Sequence, residues 1–264
     1  MDSEVRRYLT DLVGVARDVL GDDLVGGYAA GSVGLGAYQP GRSDVDVALV
    51  CTRPLDPDRK RRLVAGLRHE ALPCPARGLE LVVYTAAAAR SGTPEPGFEV
   101  ELNTGARMDF RVTWDADERP ASDGRFWYGL DRSILHECGQ ALLGPPAAEA
   151  FADLSPPDLR RLLVDALRWW LALPTPPGDG PAPGAEDAVL GACRSLAKVR
   201  HGRWLSKAEA GRRLLADGWA ADAGGPAGLI ERSIAARAGG PAPSGPEARA
   251  FQRRVLAEIS GIAE

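Results

Sequence analysis

The hydrophobic positions in the first part of the chain follow two different periods. Residues 4–20 repeat apolar side chains at the spacing of one helical face, and Gly21 is typical of a helix end. A second helix is expected around 57–71. Short apolar or alternating runs predict four strands, at 24–31, 45–51, 79–85 and 98–105. The first 150 residues therefore predict a mixed sheet with flanking helices.

After about residue 126 the pattern becomes helical. Residues 127–144 predict a helix that ends at Gly144, and Ser155 with Asp158 predicts the N-terminus of another. Ser206 with Glu209 predicts a third start of the same kind. The remaining helical and Pro/Gly-rich segments lie at 174–186 (loop), 187–204 (helix), 206–220 (helix), 238–246 (loop) and 247–262 (helix). We therefore expect an α+β protein with a domain over 1–152 and a helical domain over 153–264.

Composition excludes several classes of protein. The chain has 264 residues and a net charge of −4, whereas a nonspecific nucleic-acid-binding protein needs a basic stripe that neutralises phosphates. No apolar run approaches the roughly 18 residues of a membrane span. The 4 cysteines form no CxxC pair, and the N-terminal residues lack the apolar stretch of a signal peptide. We expect a cytoplasmic monomer without a nucleic-acid or membrane partner.

Two carboxylates lie at the start of the predicted strand at 45–51. Asp44 and Asp46 are two residues apart, so both side chains point to the same face of the strand. Two unpaired carboxylates there would repel each other, and a divalent cation bound by both removes that cost. Oxygen ligands favour Mg²⁺, and Glu80 near the start of the next predicted strand would supply a third carboxylate.

Two Ser-containing segments add candidate anion-binding positions. Gly31 and Ser32 follow a predicted strand, where a turn presents backbone N–H groups and a hydroxyl to a phosphate. Lys207 follows the predicted N-cap Ser206, so its ammonium group and a helix N-terminus would converge on one anion. The combination of turn, loop and Asp-x-Asp strand is suited to placing a nucleoside triphosphate over a divalent metal.

The segment "GS…SDVDVALV" resembles the signature of the polymerase-β-like nucleotidyltransferases, and most of the chain resembles their streptomycin/spectinomycin adenylyltransferases. "LELVVY", "LLGPPAAEAF" and "AVLGACRSLAKVRHGRWLSKAEA" carry the later part of the resemblance. The resemblance implies a nucleotidyltransferase domain, a helical domain that completes the cleft, ATP as co-substrate and two Mg²⁺ ions. It implies the following roles: Ser32 and Ser43 on the ATP phosphates, Asp44 and Asp46 on the metals, Glu80 as general base, and Arg194 and Lys207 on the triphosphate.

The same resemblance implies transfer of AMP to a hydroxyl of a cationic, polyhydroxylated antibiotic, which confers resistance. Such a ligand needs carboxylates and an aromatic wall. Candidates for its binding are Trp127, Asp131, Trp170, Asp179 and Asp187. The loop 174–186 is longer than the family's, and a Gly falls near a position where an acid is expected. That disfavours streptomycin and leaves spectinomycin or another hydroxylated compound open.

The sequence leaves three other hypotheses about the function open. One is an enzyme that nucleotidylates another small metabolite in biosynthesis. The second is an AMPylating antitoxin-type nucleotidyltransferase fused to a helical nuclease, since six residues separate Arg194 from His201. The third is a non-catalytic nucleotide-binding protein, which would have no need of a base such as Glu80.

Overall fold

A central sheet organises the first part of the chain. A computed structural model describes residues 1–120, 123–219 and 226–261. Within those ranges, six strands form one mixed sheet in the order β5-β4-β3-β2-β1-β6. The strands are β1 (Leu24–Ala29), β2 (Val45–Cys51), β3 (Leu79–Thr85), β4 (Phe98–Gly105), β5 (Met108–Thr113) and β6 (Gln140–Leu143).

Helices cover both faces of this sheet. They are α1 (Ser3–Leu20), α2 (Gly31–Gly34), α3 (Pro57–Leu67), α4 (Ala86–Ala89), α5 (Phe126–Cys138) and α6 (Ala147–Ala150). On one face, Val45, Val47 and Leu49 of β2 lie in an apolar core with residues of α1 and α3. On the other face, Ala48 and Val50 pack among aromatic side chains. Each fully buried Val or Leu contributes about 1.5–3 kcal/mol to folding.

The register of β2 and β3 decides which side chains meet. These two strands are parallel and pair residue for residue, from Val45 with Leu79 to Cys51 with Thr85. The connection between parallel strands requires a crossover, and α3 lies within it. The other strand pairs in the described part of the sheet are antiparallel.

The second compact unit comprises Pro156–Glu264, after a first unit of Met1–Ser155. Its described residues form α7 (Pro156–Ala172), α8 (Ala185–His201), α9 (Lys207–Ala216), α10 (Pro226–Arg237) and α11 (Gly245–Ser260). Helix α8 lies at the centre of this unit, where Val189, Leu190 and Cys193 are fully buried. None of the helices in the described ranges combines the length and apolar character that a membrane-spanning helix needs. The α+β class is confirmed.

One predicted helix was wrong at its C-terminal end. We expected 127–144 to be continuous, but α5 stops at Cys138 and Gln140–Leu143 forms an edge strand against β1. Gly139 is extended, and a Cβ there would lie 2.6 Å from the Leu135 carbonyl oxygen and 2.8 Å from Ala147 Cβ. Glycine therefore permits the close approach of α6 at this point, and the chain continues as the edge strand β6, although the helical spacing of apolar residues continues beyond Gly139.

The other predicted boundaries of helices and strands differ less from those in the structure. The strands predicted at 45–51, 79–85 and 98–105 are confirmed, and the capping box of Ser206 and Glu209 is present. The helix expected around 57–71 ends earlier because Arg68 is extended. The predicted strand 24–31 ends at Ala29, and Gly31 begins the short helix α2. Strand β5 and helix α10 were not predicted.

Candidate functional site

Asp46 and Glu80 are neighbours across the sheet. The parallel register of β2 and β3 places Asp46 opposite Glu80. Neighbouring strands are roughly 4.8 Å apart, so two side chains paired in this way lie side by side on one face. Both side chains are partly exposed. The first unit therefore presents a pair of adjacent carboxylates at one place on the sheet.

The turn after β1 lies directly against one of these carboxylates. Gly31 has a φ of +51°, and a Cβ added there would come 1.7 Å from Asp46 Oδ2. The neighbouring Ala30 N–H donates to the Asp46 backbone oxygen at 2.9 Å. Only glycine both adopts this left-handed conformation at little cost and leaves room for the carboxylate. Gly31 is therefore required by the position of the Asp46 side chain.

The two serines predicted to hold phosphates have different surroundings. The Ser32 hydroxyl oxygen is buried and has no hydrogen-bond partner among the described residues. A buried hydroxyl without a partner costs free energy, which a ligand that bonds to it would recover. Ser43 is 6% exposed, and its hydroxyl oxygen accepts from the Gln39 N–H at 3.0 Å, which closes the loop before β2.

Asp44 is paired with an arginine. Arg77 donates to Asp44 Oδ2 at 2.8 Å. Across the described ranges, no group of three or more His, Cys, Asp or Glu side chains is arranged to hold a metal ion. The three carboxylates predicted as metal ligands are therefore not gathered into one cluster in this conformation, and the metal site stays a prediction.

The electrostatic surroundings of Glu80 favour a protonated carboxyl group near neutral pH. Burial, together with the negative charges of Asp44 and Asp131, raises the pKa of Glu80 to about 7, against the opposing effect of Arg77. A carboxyl group with a pKa near the working pH is suited to proton transfer. Asp131 on α5 thus raises the pKa of the same Glu80 carboxyl group as Asp44 does, although Asp131 and Asp44 are far apart in sequence.

A fourth carboxylate, Glu101 on β4, anchors a buried polar network beside Glu80. Glu101 is 8% exposed, and its Oε2 accepts from Arg119 at 2.5 Å, from the Tyr128 hydroxyl at 2.9 Å and from Thr113 at 3.1 Å. Arg119 is also buried. The network joins β4, β5 and α5, so it fixes the helix that carries Asp131.

Replacing Glu101 by alanine should lower the free energy of unfolding of the first unit by about 3–5 kcal/mol, because Arg119 is left buried without this carboxylate. Urea unfolding followed by circular dichroism measures the change. The control is the double change Glu101→Leu with Arg119→Met, which replaces both charges by apolar groups and should restore most of the loss. A loss below 1 kcal/mol for Glu101→Ala would contradict this role.

The residues predicted to bind the acceptor are placed as follows. Trp127 lies in the first turn of α5, 4.9 Å from the Phe126 ring, on the same helix as Asp131. Trp170 is 44% exposed near the end of α7 and packs edge-on against Trp169. Asp179 is exposed in the loop before α8. The side chains that stay candidates for acceptor binding are those of Trp127, Asp131, Trp170 and Asp179.

In the second unit, Lys207 belongs to a cluster of charged side chains. Lys207 Nζ lies 3.2 Å from Asp187 Oδ1, and Arg237 also donates to that oxygen. Burial lowers the pKa of Lys207; Asp187 opposes this effect, and the positive charges of Arg194 and Arg237 add to it. Arg194 additionally lies over the Trp204 ring at 5.9 Å. The second unit thus brings together three of the predicted residues, Lys207, Arg194 and Asp187.

No protein-family model and no curated protein matches this sequence. Among solved structures, the fold is similar to that of spectinomycin adenyltransferase AAD(9) from Enterococcus faecialis, crystallised with ATP and spectinomycin. The identity is 14% and the TM-score is 0.68, over 96% of this chain and 98% of that one. At this identity the likeness shows the fold alone.

Three charged residues of these sites were not anticipated from the sequence. They are Arg77 beside Asp44, Glu101 in the buried network and Arg237 in the Lys207 cluster. Glu101 carried a usable signal, because it is an acid on the polar side of the alternating strand 98–105. Arg77 and Arg237 carried none, since arginine is abundant in this chain and their partners lie at least 30 residues away.

Proposed function

We propose that the protein transfers the adenylyl group of ATP to a hydroxyl of a small, cationic, polyhydroxylated acceptor and releases pyrophosphate. The acceptor class is that of the aminoglycoside and aminocyclitol antibiotics, with spectinomycin as the first compound to test, and modification of the drug would confer resistance. The observation that carries the proposal is the pairing of Asp46 with Glu80 directly beside the Gly31 turn.

The fold likeness supports this assignment at the level of the reaction. AAD(9) was crystallised with ATP and spectinomycin. The strand pair, the left-handed Gly31 and the buried Ser32 hydroxyl in this chain are features that a nucleotide-dependent enzyme would use. The acceptor is the finer part of the proposal, and the exposed Trp170 and Asp179 are its candidate contacts.

In the proposed reaction Glu80 accepts the proton of the acceptor hydroxyl. The oxygen then forms a bond to the α-phosphorus of ATP while the bond from that phosphorus to the pyrophosphate oxygen breaks. The Gly31–Ser32 turn would bind phosphate oxygens through backbone N–H groups and the Ser32 hydroxyl. Lys207 and Arg194 would bind the triphosphate and stabilise the charge of the leaving pyrophosphate.

The residues present fit a magnesium ion that arrives with the nucleotide. Mg²⁺ typically binds one or two carboxylates together with substrate phosphates, and Asp46 and Glu80 supply two carboxylates on adjacent strands. Asp44 would join them once it leaves Arg77. When bound, the metal would neutralise charge that develops on the phosphate oxygens.

The proposal is tested by measuring pyrophosphate release from ATP and Mg²⁺ in the presence of spectinomycin, streptomycin and other aminoglycosides. We expect acceptor-dependent release with at least one compound, and a loss of about 100-fold or more in Asp46→Asn, because a carboxylate that would hold the metal is removed. Asp11→Asn is the matched control, since Asp11 is an exposed carboxylate on α1.

Equal activity in Asp46→Asn and the wild type would contradict the proposed site. Absence of release with every antibiotic would reject the acceptor class. Metabolite hydroxyls and protein acceptors would then be tested in the same assay, and release with a protein would favour the AMPylating alternative.

A further inference from the structure

The ion pair of Asp44 with Arg77 lies where strands β2 and β3 begin. The Arg77 N–H donates to the Ser43 backbone oxygen at 3.1 Å, and the Val45 N–H donates to the Gly78 backbone oxygen at 2.9 Å. Asp44 therefore stands between two residues whose backbones are bonded to the segment that carries Arg77. The ion pair is thus placed by the same backbone pairing that joins the two strands.

The turn between β4 and β5 holds the backbone of Arg77 as well. The Arg107 N–H donates to the Arg77 backbone oxygen at 3.2 Å. Gly105 approaches so closely that a Cβ there would lie 2.6 Å from the same oxygen. The backbone of Arg77 is therefore fixed from two directions, and a change of its guanidinium position requires only a change of side-chain rotamer.

The side chains of the pair are more accessible than its backbone. The Arg77 side chain is 47% exposed and that of Asp44 is 26% exposed, and the guanidinium nitrogen lies 2.8 Å from Asp44 Oδ2. An ion pair with this exposure stabilises a protein only slightly. The pair can therefore break without unfolding the strands, and a ligand that binds Asp44 more strongly than Arg77 does would displace the guanidinium group.

A divalent cation is such a ligand. Asp44 and Asp46 share one face of their strand segment, and Glu80 is paired with Asp46 across the strands. In the described ranges these carboxylates are not gathered around one point while Arg77 holds Asp44. Even if Asp44 bound an ion through its other oxygen, the guanidinium group and the ion would lie within a few ångströms of each other and repel.

We infer that Arg77 competes with the divalent metal for Asp44 and so sets the metal concentration at which the nucleotide site is loaded. The inference rests on the proposed use of a nucleotide with Mg²⁺, and it adds a regulation of that same site. Arg77 is a positioning residue here, because it acts through Asp44 and not on the substrate. It keeps the carboxylate paired before metal and nucleotide arrive, and it moves into solvent when they bind.

The test is isothermal titration calorimetry of α,β-methylene-ATP binding to the full chain, once with Mg²⁺ and once with EDTA. This analogue cannot undergo the proposed transfer, and the ratio of the two affinities isolates the contribution of the metal. Arg77→Gln should raise the ratio about threefold, which corresponds to the loss of one exposed ion pair. Arg107→Gln is the matched control and should leave the ratio unchanged. It removes an equal charge from the adjoining turn, but the Arg107 guanidinium group donates to the Gly41 backbone oxygen.

Asp44→Asn separates competition for this carboxylate from a general effect of charge. The change should lower the ratio about tenfold, because a carboxylate that would bind the metal is lost. Adding Arg77→Gln to it should have no further effect. If Arg77 merely held the strands together, Arg77→Gln would lower stability in urea and would not raise the ratio. An unchanged or lower ratio in Arg77→Gln, or an increase that persists beside Asp44→Asn, would overturn the inference.

These outcomes are distinguishable from those of the proposed reaction. A ratio that responds to Arg77→Gln as expected, in a protein that releases no pyrophosphate with any acceptor, would retain the competition and reject adenylyl transfer. Acceptor-dependent pyrophosphate release with a ratio indifferent to Arg77→Gln would retain the reaction and reject the inference. Absence of nucleotide binding in both the wild type and the variant would reject both.

Discussion

Replacing Glu80 by glutamine should lower the turnover number about 1000-fold and, at the same time, make the protein more stable above neutral pH. The loss of activity follows from removal of the general base, which typically contributes 10²–10⁴-fold. Glutamine keeps the size of the side chain but cannot accept the hydroxyl proton. Steady-state pyrophosphate release at saturating ATP measures the turnover number.

The gain in stability follows from the raised pKa of Glu80. The carboxyl group is neutral in the folded protein below its pKa of about 7, but it ionises in the unfolded chain above its ordinary value of 4.5. Stability is therefore lost as the pH rises from about 4.5 through 7, and the full cost of burying the charge is present above 7. Glu80→Gln removes this cost, which we expect to be about 1–3 kcal/mol at pH 8.

The stability measurement is urea unfolding at pH 4 and pH 8 without divalent cations. The two proteins should differ at pH 8 and should be similar at pH 4. If the variant is less stable than the wild type at pH 8, the Glu80 carboxylate is stabilising the fold, and the account of its surroundings is wrong. Retained activity in the variant would exclude Glu80 as the base.

The second large effect is expected for Gly31→Ala. The added Cβ would lie 1.7 Å from Asp46 Oδ2, so the carboxylate or the turn must move. Displacement of a catalytic group by about 1 Å can cost about 100-fold in rate, and we expect a loss of at least that size. Destabilisation of about 1–2 kcal/mol should accompany it, since alanine disfavours the left-handed conformation.

Gly41→Ala is the matched control for this change. Gly41 has a φ of +75° in the same loop region, but a Cβ there would contact nothing within 4 Å. Both variants therefore carry the backbone cost, and only Gly31→Ala disturbs Asp46. Comparable rates for the two variants, measured by pyrophosphate release, would show that the Gly31 contact has no part in the reaction.

The sequence predicted those parts of the fold in which local patterns and tertiary packing agree. Strands β2 and β3 are short, mostly apolar runs with an acid near the start, so their bounds and a carboxylate from each at one site could be expected, whereas the register that pairs Asp46 with Glu80 could not. The end of α5 could not, because its helical spacing runs past Gly139 and the chain beyond it pairs with β1 as an edge strand. Tertiary contacts there override a valid local pattern.

The residues of the candidate sites likewise include some that the sequence pattern predicts and some that it does not. Asp44, Asp46 and Glu80 stand out because acids interrupt apolar strands. Arg237 could not be found, because helix α10 itself was missed and its charge acquires a role only where α8 and α9 meet it. The ion pair of Asp44 with Arg77 could not be predicted from sequence spacing either, because the two residues are 33 positions apart.

The fate of each phosphate of ATP distinguishes nucleotidyl transfer from every other use of the nucleotide. The protein is incubated with Mg²⁺, spectinomycin and ATP labelled at either the α- or the γ-phosphate, and the acceptor is separated from nucleotides. We expect label on the acceptor only from the α-phosphate, with the γ-label in pyrophosphate. Label on the acceptor from the γ-phosphate would identify a kinase and contradict nucleotidyl transfer.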